Sequence, residues 1–127
     1  MIIRPYEIND EVGIEFTDVA SREWGDDDDE YAIECLYNCN SYTIIDDKGY
    51  KNVCCFIPCE DGSEYVYFVK DRRSNPLVMK YYAKILDERA KNAVIWSLSQ
   101  PNQEKMHKFF NMVKNGNMGD KELWVRL

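Results

Sequence analysis

Three groups of side chains in this sequence are able to do chemistry. Cys35, Cys39, Cys54, Cys55 and Cys59 form a C-x3-C followed by a CC-x3-C, a donor set that a zinc ion could use. The spacing is looser than a zinc knuckle, and Cys54 and Cys55, adjacent on a strand, point to opposite faces. The cysteines are therefore read as small buried hydrophobes, and no metal is expected. His107 is the single histidine, and its ordinary pKa near neutrality suits proton transfer. Helical spacing turns it away from Phe109 and Phe110, which makes it a solvated surface residue. Glu60, Asp61 and Glu64 gather at the head of a strand, where one could act as a general base if a cleft raised its pKa.

A fourth feature is purely electrostatic. Asp26, Asp27, Asp28, Asp29 and Glu30 are five consecutive acids. They read as a solvated helix entry, or else as a partner-binding or nucleic-acid-mimicking patch.

The elements that must position these groups centre on residues 64 to 99. Tyr65 to Val69 and Ala93 to Leu98 are short, β-branched and aromatic, which fits buried strands. Between them Leu77, Val78, Tyr81, Tyr82, Ile85, Leu86 and Arg89 recur at spacings of three and four, an apolar stripe on one helix face. Asn75 suits its N-cap and Pro76 its first position. Two strands joined through such a helix pair in parallel, and function is sought where the first strand's carboxyl end meets the helix N-terminus.

Upstream, Met1 to Arg4 is a strand stopped by Pro5, followed by helices from about Glu11 to Trp24 and from Tyr31 to Tyr37. Tyr42 to Ile45, Asn52 to Ile57 and Tyr65 to Val69 form an antiparallel meander through the turns Asp46 to Gly49 and Glu60 to Ser63. Downstream, Asn102 caps a helix from Gln103 to Lys114 that buries Met106, Phe109, Phe110 and Val113 and stops at Asn115 and Gly116. Leu123 to Leu127 is the last strand.

A chain of 127 residues with 45% hydrophobic content makes a single domain. A net charge of −7 and a pI near 4.7 exclude a duplex-coating role. No apolar run reaches the roughly 18 residues that span a bilayer. The start, MIIRPYEIND, lacks a secretory pattern, so a cytoplasmic location is expected. Tyr65 and Tyr67 share a strand face, and the nine tyrosines and three tryptophans serve either core packing or a protein interface.

The fold class is thus α+β, in the order strand, helix, helix, three antiparallel strands, helix, strand, helix, strand. That order, with MIIRP at the start and N-x3-M-x2-FF in the last helix, resembles the GNAT superfamily of acyl-CoA dependent N-acetyltransferases over nearly the whole chain. The resemblance implies a mixed sheet whose fourth and fifth strands part to admit acetyl-CoA. It also implies a pyrophosphate loop of the form Q/R-x-x-G-x-G/A before the helix that follows the fourth strand. Here that loop is Asp71, Arg72, Arg73, Ser74, Asn75 and Pro76. It has no glycine to let the backbone approach a phosphate, and Pro76 removes one N–H donor. If CoA binds, the resemblance assigns it to Arg72, Arg73, Ser74, Asn75 and Asn102, with the arginines acting through their side chains. Many relatives protonate the departing thiolate with a phenol on the last helix. Phe109 and Phe110 stand there instead, which leaves Glu64 and His107 as the catalytic candidates.

Ile3, Arg4 and Pro5, then Asn102, Met106 and Phe109, make the chain similar also to small GNAT-like proteins of short-tailed bacteriophages, among them an internal virion component. That likeness implies a place in the virion or host cytoplasm. Three functions follow. The first, favoured by the missing glycines and phenol, is a non-catalytic GNAT-like binding or structural protein acting through protein contacts, without cofactor. The second is a divergent acetyl-CoA dependent N-acetyltransferase. The third is an acidic inhibitor of a host nucleic-acid enzyme that presents Asp26 to Glu30.

Overall fold

The computed structural model describes residues 1–7, 38–71, 73–99 and 104–126. The expected helices from Glu11 to Trp24 and from Tyr31 to Tyr37, and the acidic run between them, lie outside the described residues. Seven strands and two helices are described: β1 Ile2–Pro5, β2 Asn40–Ile45, β3 Lys51–Pro58, β4 Glu64–Val69, α1 Val78–Ala90, β5 Ile95–Ser99, α2 Glu104–Phe109, β6 Val113–Met118 and β7 Lys121–Arg126. The strands hydrogen-bond in the order β1-β2-β3-β4-β5-β7-β6, a mixed α+β sheet as the sequence predicts. The chain divides into two compact units, Met1–Ile57 with Tyr67–Tyr82 and Pro58–Val66 with Ala83–Leu127.

In the first unit β2 pairs antiparallel with β1, from Ile2 opposite Ile45 to Pro5 opposite Tyr42, and with β3, from Asn40 opposite Phe56 to Ile45 opposite Lys51. The β2–β3 turn is held by Asp46. Its Oδ1 accepts the N–H groups of Lys48 and Tyr50, and Gly49 supplies the positive φ of 88° that closes the turn. Every residue from Asn52 to Phe56 is buried. Cys54 and Cys55 therefore face opposite sides and are both enclosed, as small hydrophobes in a strand covered on both faces. No group of three His, Cys, Asp or Glu among the described residues is placed to hold a metal ion.

Helix α1 begins as its sequence predicts. Asn75 Oδ1 accepts the Leu77 N–H at 3.0 Å and its carbonyl accepts the Val78 N–H at 3.0 Å. In the first unit Val78 and Tyr82 are buried, with Tyr82 stacked on Phe68 at 4.1 Å between ring centroids. In the second unit Ile85 and Leu86 are buried and Arg89 is half-buried. Burying each such large side chain contributes about 2 kcal/mol. Leu77 departs from the expected stripe and is exposed. It sits in the capping turn before regular helical geometry begins, so the 3.6-residue period does not reach it.

In the second unit β4 pairs in parallel with β5, Glu64 opposite Ile95 and Tyr65 opposite Trp96. Those two rings lie 4.7 Å apart. The main correction falls just beyond. Helix α2 ends at Phe109, not at Lys114, and Asn115 and Gly116 lie inside strand β6 rather than serving as a helix stop. The cause is Asn111, whose φ is 58°. The Met112 N–H bonds back to the His107 carbonyl at 3.0 Å and the Asn111 N–H to the Lys108 carbonyl at 3.0 Å. That pair of bonds with a left-handed residue between them is a Schellman stop. With the helix cut short, Phe110 is buried while Met106, Phe109 and Val113 are exposed. The freed residues form a hairpin with β7, which pairs antiparallel with β5 from Ile95 opposite Arg126 to Ser99 opposite Glu122. No helix among the described residues is long and apolar enough to cross a membrane.

Candidate functional site

The loop between β4 and α1 is the candidate site of the first unit, and its backbone donors can be followed one by one. Asp71 N–H donates to Asn52 Oδ1 at 2.8 Å, and Arg73 N–H to Asp71 Oδ1 at 2.9 Å. Ser74 N–H donates to the Asp71 carbonyl at 3.0 Å, and Asn75 N–H to Asp46 Oδ2 at 2.8 Å. Pro76 has no N–H. Leu77 and Val78 donate to Asn75, as described above, and Met79 to the Pro76 carbonyl at 3.1 Å. Each described N–H from Asp71 to Met79 thus ends on an acceptor of this chain.

Two residues that sequence reasoning passed over arrange this. Asn52 is fully buried in β3; its Nδ2 donates to the Ile44 carbonyl at 3.2 Å and to Ser74 Oγ at 2.8 Å, while its Oδ1 accepts from Asp71. An amide in the otherwise apolar run NVCCFI was the signal, because a buried polar group needs partners. Asp46, a turn residue by its sequence, also reaches this loop through Oδ2. Burial works against its charge, but the N–H groups of Asn75, Tyr50 and Lys48, with the Lys48 cation, outweigh it and hold the carboxyl below its ordinary pKa of 3.8.

The predicted cofactor residues are engaged in the same way. Arg73 donates to Asp71 from Nε at 3.0 Å and from Nη2 at 2.7 Å, and its guanidinium lies 4.4 Å above the Tyr50 ring. The Arg73 bond holds the Asp71 carboxyl below its ordinary pKa, against the opposing effect of burial. Ser74 is buried with its hydroxyl oxygen accepting from Asn52. Asn75 caps the helix. Arg72 and Asn102 lie outside the described residues, as do Asp26 to Glu30.

The second unit holds both catalytic candidates. Glu64 is buried at the start of β4 and paired with Arg89 of α1 through both carboxylate oxygens, Nε to Oε1 at 3.0 Å and Nη2 to Oε2. A carboxylate gripped in this bidentate way is not presented to a substrate proton. Its neighbour Asp61 is likewise spent on its turn, where bonds from the Ser63 hydroxyl and then the Ser63 N–H lower its pKa.

His107 corrects the expectation of a solvated histidine, for it is 4% exposed. It stacks on Trp124 at 4.9 Å, and its Nε2 lies 3.2 Å from Ser97 Oγ. Ser97 Oγ also lies 3.7 Å from Met112 Sδ. The early helix stop explains the burial, since it folds Met112 and β7 back over the histidine. Of the two residues at the phenol position, Phe110 is buried and Phe109 is 59% exposed.

No known family profile and no curated protein matches the chain. Solved structures do. The F149A mutant of spermidine N-acetyltransferase SpeG from Vibrio cholerae superposes with a TM-score of 0.67 at 10% identity, covering 100% of this chain and 95% of that one. The aminoglycoside 6'-N-acetyltransferase of Enterococcus faecium gives 0.67 at 13% identity, covering 99% and 96%. This chain has the GNAT fold. The ribosomal-protein-S5-alanine acetyltransferase of Vibrio fischeri agrees, with a TM-score of 0.64 at 11% identity over 98% of this chain and 91% of that one. Identities this low carry the GNAT architecture and leave activity to the side chains.

Proposed function

We propose that this chain is a non-catalytic binding protein on the GNAT fold, acting through contacts with other proteins and without acetyl-CoA. One observation carries the reading. The loop that would hold a pyrophosphate spends its described N–H groups on Asn52, Asp71, Asp46, Asn75 and Pro76 of its own chain. An anion would have to displace a buried carboxylate and a buried amide to reach those donors, leaving them without partners. The engagement of Glu64 by Arg89 and the burial of His107 against Trp124 support the same view, because neither side chain is open to an amine. Exposed Phe109 and Met106 in the second unit, and Ile2 and Ile3 in the first, are apolar surface of the kind that meets other proteins.

Calorimetric titration with acetyl-CoA and with CoA tests the reading. It requires no saturable heat up to about millimolar ligand, whereas a dissociation constant in the micromolar range would mean that the loop rearranges and the enzyme reading returns.

A further inference from the structure

In strand β6 of the second unit Asn115 is followed directly by Gly116, and both residues are exposed. The register with β7 is interrupted there. Lys114 stands opposite Trp124 and Asn117 opposite Glu122, so Asn115 and Gly116 together face the single Leu123. This is a bulge, and it disrupts the ladder locally. Gly116 has a φ of 105°, which glycine adopts without strain, and no atom lies within 4 Å of the position a Cβ would take. Among the described residues, none makes a hydrogen bond to the Asn115 side-chain amide.

Asparagine is thermally labile because the nitrogen of the next residue can attack its side-chain Cγ. The attack needs a free amide, an unhindered nitrogen and a backbone able to leave the extended form. Asn115 meets all three conditions, and its neighbours in kind do not. Asn52 is buried with its amide engaged by the Ile44 carbonyl, Ser74 and Asp71. The Asn75 side chain caps α1, and Pro76 after it has no N–H to lose. Asn111 precedes Met112, whose N–H is held by the His107 carbonyl. Asp61 also precedes a glycine, but its Oδ1 accepts from the Ser63 N–H at 2.9 Å and hydroxyl at 2.5 Å, and an ionised carboxylate is a poor electrophile.

We propose that Asn115 is a site of spontaneous deamidation through a succinimide, and that its isoaspartate product frees the tip of the β6–β7 hairpin. The Gly116 nitrogen gives its proton to solvent and bonds to Asn115 Cγ. The bond from Cγ to the amide nitrogen breaks, and that nitrogen takes a proton from water and leaves as ammonia. A water molecule then opens the ring. Attack at Cγ gives aspartate, whereas attack at the main-chain carbonyl gives isoaspartate, linked to Gly116 through Cγ. Either product adds a negative charge to a chain already at −7. Isoaspartate also adds one carbon to the main chain, beside a bulge that already takes up a whole residue. Beyond it only Asn117 opposite Glu122 and Met118 opposite Lys121 hold the tip. The ion pair from Lys114 to Glu122 at 2.7 Å spans the bulge, and the added carbon shifts its two ends apart. So short a ladder opens locally without the rest of the sheet. This inference stands whether or not the chain takes CoA.

Ageing the folded chain at mildly alkaline pH tests it, with circular dichroism confirming the fold and an unaged sample correcting for loss during digestion. Cleavage at the lysines releases residues 115–121, and mass with chromatography separates the asparagine, aspartate and isoaspartate forms. Asn115 is expected to be lost before any other described asparagine, faster as pH rises, and to give both products. Asn115→Gln, which cannot close the five-membered ring, should keep its amide over the same interval. Hydrogen exchange across residues 117–121 should be faster in the isoaspartate form than in freshly made Asn115→Asp, which carries the charge without the extra carbon. The site is refuted if Asn115 survives in the folded chain while the urea-unfolded chain converts. Aspartate without isoaspartate, or equal loss from Asn115→Gln, overturns the succinimide route. Equal exchange in the isoaspartate and Asn115→Asp forms overturns the release of the hairpin tip.

Discussion

Replacing Asn52 with alanine probes the tie between the sheet and the candidate loop. The side chain is fully buried and makes three bonds: to the Ile44 carbonyl at 3.2 Å, to Ser74 Oγ at 2.8 Å and from the Asp71 N–H at 2.8 Å. Each such bond contributes about 1 kcal/mol net, and a buried group left without a partner costs about 1 to 3 kcal/mol. Asn52→Ala is therefore expected to lower the unfolding free energy by about 3 kcal/mol, a fall of roughly 10 °C in Tm for a chain of this size. Urea unfolding followed by tryptophan fluorescence measures it. Asn52→Leu separates bonding from volume, since it refills the space without restoring a partner. On the bonding argument it stays at least about 2 kcal/mol below wild type. A double-mutant cycle with Ser74→Ala should return a coupling of about 1 kcal/mol. If Asn52→Leu recovers wild-type stability, the site is held by packing and the reading of the loop as a bonded lock is refuted.

Asp46 has a pKa lowered below 3.8 in the folded chain, so its contribution to stability is present above that value and is lost as pH falls through the folded pKa. Asp46→Asn should flatten part of the loss of urea midpoint between roughly pH 5 and pH 2, while Asp61, Asp71 and Glu104, also lowered, keep the remainder. An unchanged acid limb would show that the charge on Asp46 does not support the fold. The Schellman stop makes a separate demand: Asn111→Ala at a φ of 58° should cost about 1 kcal/mol in the same unfolding assay, and Asn111→Gly should stay within about 0.5 kcal/mol of wild type. Equal costs for the two would remove backbone conformation as the reason α2 ends at Phe109.

Much of the architecture could be read from local pattern. Alternation and turn residues gave β2 to β4, and the spacing from Val78 to Leu86 with Asn75 and Pro76 before it gave α1, because period and capping act over a few neighbouring residues. The end of α2 could not be read this way. Asparagine tolerates a left-handed conformation without requiring it, and only the return of Met112 beneath His107 selects that conformation at Asn111. The loop is the sharper case. Its missing glycines were visible as composition, but where its N–H groups go depends on Asn52 and Asp46, 19 and 29 residues away from their partners Asp71 and Asn75. Strand register decides which side chains reach across such a separation, and register belongs to the folded sheet.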